Sequence, residues 1–425
     1  MSRKTILILI AVAILALGAW LFFASKNSTG TNPDGTPKSL LSSLFPFGNG
    51  TINLPGSGTG DGQGNTGDGT ADQPTRAASK LIQVSSRVVA GLAMLPSKTA
   101  PVQQHDINGN PGDEITQSVF PTIRFTESGT GYIYDIDVKG QNEKKVSETL
   151  IARTAEAIFA NNGTNAILRY IKTDNMTVAS FLGTVTLSTN PTAPGTLVGN
   201  FLEENIKSIA VSPDKKSFLY LLPTANGVVG ISMKYDGTGK KQLFSSSFSE
   251  WLADWGTLPI ITTKAADGVP GFAYSVSGGI LKKILGDTNG LTTKISPDGK
   301  TLLYSVSGGQ GLDLHALSLK DGTDMNTGLA TLPEKCVWST NNTVVYCGVG
   351  QSTSPDSYPD AWYKGQIHFN DAFWKIDTVG KSTTQLNDGE GNTLDATNLA
   401  LDPSEQYLVL VNKTDGSLWS LNLSL

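Results

Sequence analysis

Histidine is nearly missing from this chain: 425 residues include only His105, His315 and His368. They are scattered and form no HxH or HExxH spacing, so the usual zinc-site patterns are absent. No G-x-S-x-G stretch occurs, which removes the nucleophile elbow of serine hydrolases. Arginine is sparse and no S-x-D-x-G-x-T-W box is present, which argues against a sialidase-like grip on a substrate carboxylate. Charged residues make up only 16%, the formal net charge is -5 and the pI is about 5.3. A general nucleic-acid binder needs a surplus of Lys and Arg, so no nucleic-acid partner is expected. Beyond residue 80 no amphipathic helical period of useful length appears.

What is present divides the chain in three. Arg3 and Lys4 precede the uncharged run TILILIAVAILALGAWLFFA, residues 5–24. At about 1.5 Å per residue such a run spans the ~30 Å core of a bilayer. The basic pair holds residues 1–4 in the cytoplasm and puts the rest outside. A cleaved signal peptide, with Ala16-Leu17-Gly18 as its small-residue site, is the competing reading. The apolar run continues past it through Phe23, which favours an uncleaved single-pass anchor in a bacterial cytoplasmic membrane. Residues 25–79 are rich in Gly, Thr, Asp and Asn and read as a flexible tether with a reach of roughly 40 Å. SLLSSLFPFG (39–48) interrupts it, either as a docking motif or as a locally apolar piece of linker.

From Lys80 onward, short runs of β-branched and aromatic residues alternate with Gly, Asn, Asp and Pro clusters. One turn recurs: NNGTN after Ala160, SPDKK from Ser212, SPDGK from Ser296, STNN from Ser339 and DPSE from Asp402, with a further marker at Gly256. Most intervals are roughly 40–50 residues, the period of a four-stranded propeller blade. The expected fold is all-β, a seven-bladed propeller over residues 80–425. The C-terminal blade ends one strand short, and SKLIQVSS (79–86), where the tether ends, is expected to complete it and close the ring. Cys336 and Cys347 fall opposite each other if EKCVWSTNNTVVYCG folds as a hairpin about Asn341-Asn342, which favours a structural disulfide over two buried thiols.

SPDGKTLLYS and SPDKKSFLYL resemble the turn-strand signature of TolB-like and WD-repeat-like bacterial propellers, over roughly residues 80–425. The TolB family carries an α/β domain ahead of its propeller, where this chain has an anchor and a tether. DAWYKGQIHFNDAFWKID (360–377) resembles a segment of membrane-anchored propellers from small-genome bacteria.

Candidate sites are few. Asp106, Asn108 and Asn110 match the first oxygen-ligand positions of a calcium loop, but Pro111 stands where that loop needs Gly and Gln117 where it needs Glu. A polar surface loop without a cofactor is preferred there, and NDGEGNTLD (387–395) is a weaker case. The segment 351–374 inserts between the second and third strands of the sixth blade and crowds Tyr358, Trp362, Tyr363, His368 and Phe369. Aromatics with polar tips suit a binding surface. Alternatively they plug the central opening or cover a blade edge. Residues 190–205 are expected to form a second loop on the same face. The function these features favour is non-catalytic binding or scaffolding of an envelope protein or cell-surface polymer. The alternative is an enzyme with its pocket in the central channel, such as a lactonase, a lyase or a quinoprotein-like oxidoreductase.

Overall fold

The computed structural model describes residues 80–96, 99–105, 111–118, 120–190, 192–264, 266–308, 311–351 and 358–424. The run 5–24, the tether with its 39–48 motif, and Asp106, Asn108 and Asn110 lie outside the described residues. Among the described residues no helix is long and apolar enough to cross a membrane.

The repeated turn converts the sequence into blades. Strand β1 is Leu81–Ser85. The first blade is β2 (Val89–Met94), β5 (Thr122–Glu127), β6 (Ile133–Asp137) and β7 (Lys144–Ser147), with the hairpin β3 (Thr99–His105) and β4 (Pro111–Ser118) between its first two strands. The second is β8 (Thr154–Ala160), β9 (Asn165–Ile171), β10 (Val178–Thr186) and β11 (Thr196–Phe201). The third is β12 (Ile209–Val211), β13 (Ser217–Thr224), β14 (Gly227–Lys234) and β15 (Lys241–Ser246), and the fourth is β16 (Trp251–Trp255), β17 (Pro259–Thr263), β18 (Pro270–Ser277) and β19 (Ile280–Asn289). The fifth is β20 (Thr293–Ile295), β21 (Thr301–Gly308), β22 (Gly311–Ser318) and β23 (Asp324–Asn326). The sixth is β24 (Cys336–Trp338), β25 (Val344–Gly350), β26 (Asp371–Asp377) and β27 (Ser382–Asn387). The seventh is β28 (Ala396–Leu401), β29 (Tyr407–Asn412) and β30 (Leu418–Asn422), completed by β1. Leu81 pairs with Leu421 and Ser85 with Leu418, so the expected closure is present.

The turn works through its first side chain. Ser212 Oγ accepts from Ser217 N at 3.0 Å, Ser296 Oγ from Thr301 N at 3.0 Å, Ser339 Oγ from Val344 N at 3.2 Å, and Asp402 Oδ1 from Tyr407 N at 2.6 Å. The fourth residue takes a left-handed conformation: Lys215 at φ 57°, Gly299 at 72°, Asn342 at 61° and Glu405 at 55°. Glycine fills only one of these four positions, so the side-chain clasp holds the turn even where the backbone conformation is unfavourable.

Neighbouring blades enclose apolar clusters between them, for example Val84, Phe125 and Val409 between the seventh and first, and Leu219, Phe244 and Ile261 between the third and fourth. One blade cannot bury both faces, which is why the unit must repeat around a ring. Cys336 and Cys347 are opposed in register and joined as a disulfide, with Cα atoms 4.1 Å apart.

Two local expectations change. The stretch 105–114 is not one loop: His105 ends β3 and Pro111 starts β4, because Val102 pairs with Ile115 in a hairpin register. Residues 190–205 are not one loop either. Their middle is the outer strand β11, paired with β10 from Thr196 to Phe201. Its two flanks therefore leave on opposite faces of the ring, and only 202–205 shares the face of the aromatic insertion.

Candidate functional site

The two faces of the ring differ. On one, the turns between the first and second strands of the blades converge. They bring Pro213, Pro297 and Pro403 to the mouth of the channel, where a funnel of about 540 Å³ is lined by Leu92, Phe159, Val337 and Leu399 among others. Among the described residues, Lys215 is the one charged residue in its lining. The chain enters the propeller on this same face. Lys80 O accepts from Asn422 N at 2.8 Å, and Gln406 of the seventh blade's turn accepts from Leu423 N at 2.8 Å.

The opposite face carries the insertion. It contains the short helix α1, Asp360–Tyr363, and lies across the starts of the innermost strands β20, β24 and β28. Tyr358, Trp362 and Phe369 are buried there with Leu312 and Leu332. Tyr358 and Phe369 rings lie 5.6 Å apart, Trp362 and Phe369 6.2 Å. Ser307 Oγ donates to Tyr358 O at 2.7 Å, and Trp362 Nε1 donates to Asp395 Oδ2 at 2.9 Å. Tyr363 donates its hydroxyl to Glu334 Oε1, and Lys413 Nζ donates to Trp362 O. The structure thus gathers the five residues singled out in sequence. It gives three of them to the interior and leaves Tyr363 and His368 partly exposed, at 37% and 43%.

Beneath the insertion sits an ionic cluster that sequence reasoning missed. Lys335, wholly buried, reaches Asp371 Oδ2 at 2.8 Å and Asp395 Oδ1 at 2.5 Å, and donates to Ala396 O at 3.1 Å. Its ammonium lies 4.6 Å from the Phe369 ring centre and 5.5 Å from that of Trp362. His368 Nδ1 stands 3.5 Å from Asp395 Oδ2. Burial pushes the Asp371 carboxyl up to about 6, against the pull of Lys335 and the Ala396 N–H. One available signal was positional: Lys335 and Asp395 each immediately precede the innermost strand of their blade, so ring geometry sets them side by side.

A second charged group occupies the fourth to sixth blades. Asp254 Oδ2 accepts from Ile295 N at 2.7 Å, and Glu334 Oε2 from Thr292 Oγ1 at 3.0 Å. Between these carboxyls lies Lys294, which makes no ion pair among the described residues. Burial lowers its affinity for a proton and raises that of both acids. Among the described residues no group of three or more His, Cys, Asp or Glu is placed to hold a metal ion.

No family model matches the chain, and no curated protein matches it. Solved structures of similar shape include TolB from Acinetobacter baumannii, at 15% identity and a TM-score of 0.40, covering 60% of this chain and 59% of that one. An oligogalacturonate lyase in complex with manganese shares 11% identity at a TM-score of 0.46, covering 79% and 98% of the two chains. The hydrazine synthase of Kuenenia stuttgartiensis shares 11% at 0.46, covering 71% and 92%. The chain spans about three fifths of the length of the TolB structure. The TolB-like resemblance read from the repeated turns holds at the level of architecture, which rests on the chain's own seven four-stranded sheets.

Proposed function

We propose that this protein is a membrane-tethered binding module. Residues 5–24 anchor it in a bacterial cytoplasmic membrane, residues 25–79 hold the propeller on the outer side, and the propeller takes up an envelope protein or cell-surface polymer without catalysing a reaction on it. The observation that supports binding is the funnel on the turn face, a concave and mostly apolar mouth on a rigid closed ring. A photo-reactive residue in place of Lys215 tests the proposal. In intact cells it should join the chain to one envelope component, whereas the same probe at exposed Val379 should not. Equal labelling from both positions would remove the funnel from the account.

The enzyme alternative has one observation of its own, Lys294 near Asp254 and Glu334, without an ion pair among the described residues. An amine whose proton is loosened by burial is more nucleophilic near neutral pH. If the channel is a reaction site, treatment with a small aldehyde and cyanoborohydride at pH 7 should alkylate Lys294 ahead of the surface lysines, as read by peptide mass mapping. Modification only at exposed lysines would dismiss this second reading.

A further inference from the structure

Seven outer strands ring the propeller, and each presents a row of main-chain groups that could pair with another chain. Six are blunted. The pairings of β1, β7, β15, β19 and β27 each contain a register shift, and β23 has only three residues. Lysines add to the protection on β7, β15 and β19. The strand β11 has none of these defences: TLVGNF pairs with β10 over six residues without a shift and bears no charge. Val198 and Phe201 on it are 60% and 64% exposed.

The direction of its unused groups can be read from its neighbours. Leu202 N donates inward to Ser180 O at 2.9 Å, while Leu197 N points outward and is taken by Thr149 Oγ1 at 2.8 Å. The alternation of a strand then turns the N–H and C=O of Gly199 and Phe201 outward as well. No described residue accepts from or donates to them on that side.

We propose that this edge is a self-pairing surface, on which two copies of the chain join through an antiparallel pair of β11 strands related by a two-fold axis through Asn200. In that register Gly199 of each copy faces Phe201 of the other, and each such pair exchanges both of its main-chain hydrogen bonds. The uncharged strand sets no like charges opposite each other. The exposed Phe201 ring lies against the bare Gly199 backbone of the second copy, a cross-strand pairing that covers the gap a glycine leaves. Val198 of the second copy falls on the side of the groove of about 690 Å³ that runs between β11 and the third blade, beside Met233 and Tyr235. Pairing stops at Gly199 because Thr149 already occupies Leu197. Isologous closure of this kind uses up the edge and does not propagate.

The axis residue supplies the test, with the full chain in detergent or nanodiscs. Asn200→Cys should give a disulfide-linked dimer under mild oxidation, since residues opposed across the axis in a non-hydrogen-bonded pair have Cα atoms about 4.5 Å apart. Cysteine in place of exposed Val379 should not. Asn200→Asp and Asn200→Lys should each weaken self-association at least tenfold in sedimentation equilibrium, and mixing the two should restore a heterodimer. Three outcomes overturn the proposal: Asn200→Cys chains that stay monomeric on oxidation, charge variants that associate like the parent, or a free peptide of residues 196–201 that binds while the parent chain remains monomeric. None of these readouts depends on what fills the funnel.

Discussion

Replacing Lys335 with alanine should cost the protein about 3–5 kcal/mol, because Asp371 and Asp395 would be left buried with no counter-charge. The measurement is the denaturant midpoint at constant slope. A charge-free triple variant, Lys335→Met with Asp371→Asn and Asp395→Asn, should recover much of the loss, since a buried ion network adds little net stability over a neutral filling. The cluster also sets a pH dependence. The Asp371 carboxyl rises from an ordinary 3.8 to about 6 on folding. A raised pKa means the folded chain takes the proton more readily than the unfolded chain. The contribution is therefore fully present below about pH 4 and is lost as pH rises through about 6, on the order of 3 kcal/mol in all. Other carboxyls with lowered values, such as Asp214, oppose this trend, so the informative quantity is the difference between the parent and Asp371→Asn. That difference should change between pH 4.5 and 7.5. A flat difference would mean that Asp371 does not titrate as its surroundings require.

Deleting Lys80–Ser86 should be nearly as damaging. It removes β1, un-buries the interface filled by Leu81 and Val84, and bares the edge of β30. The two side chains alone are worth about 3–6 kcal/mol at the usual value for burying an aliphatic residue. The truncated chain should unfold at lower denaturant and aggregate through the open edge. A midpoint equal to that of the intact chain would contradict the closed ring.

The blades were legible because their signals are local. Ser or Asp at the head of the turn, Pro next in three of the four, and a left-handed fourth residue that is Gly or Asn in two of them all lie within five positions. Apolar strands follow directly. Closure was legible for a related reason: a blade missing its outer strand at one end of the chain and a spare strand at the other fit only one way. The insertion was less so. Tyr358, Trp362 and Phe369 have the composition of a contact surface, and the same amphipathic rings serve equally well inside. What decides between the two is Asp395, more than thirty residues beyond Trp362. In the sequence Asp395 ends a polar stretch that reads as a weak cation loop. Lys335 looks like one solvated charge beside a cysteine. The funnel went unread although Pro213, Pro297 and Pro403 hold the same place in their blades, because convergence on an axis is a property of the ring and not of any one repeat.

The seam between β1 and β30 has a mechanical side. Any tension on the polypeptide ahead of Lys80 arrives first at Lys80, whose N–H donates to Glu390 Oε1 and whose carbonyl accepts from Asn422 N, and next at the Leu81–Leu421 pair. Within the described residues, this end of the seam is where a pull from the N-terminal side would begin to part the structure, while the six blades built from unbroken sequence stay shielded behind it.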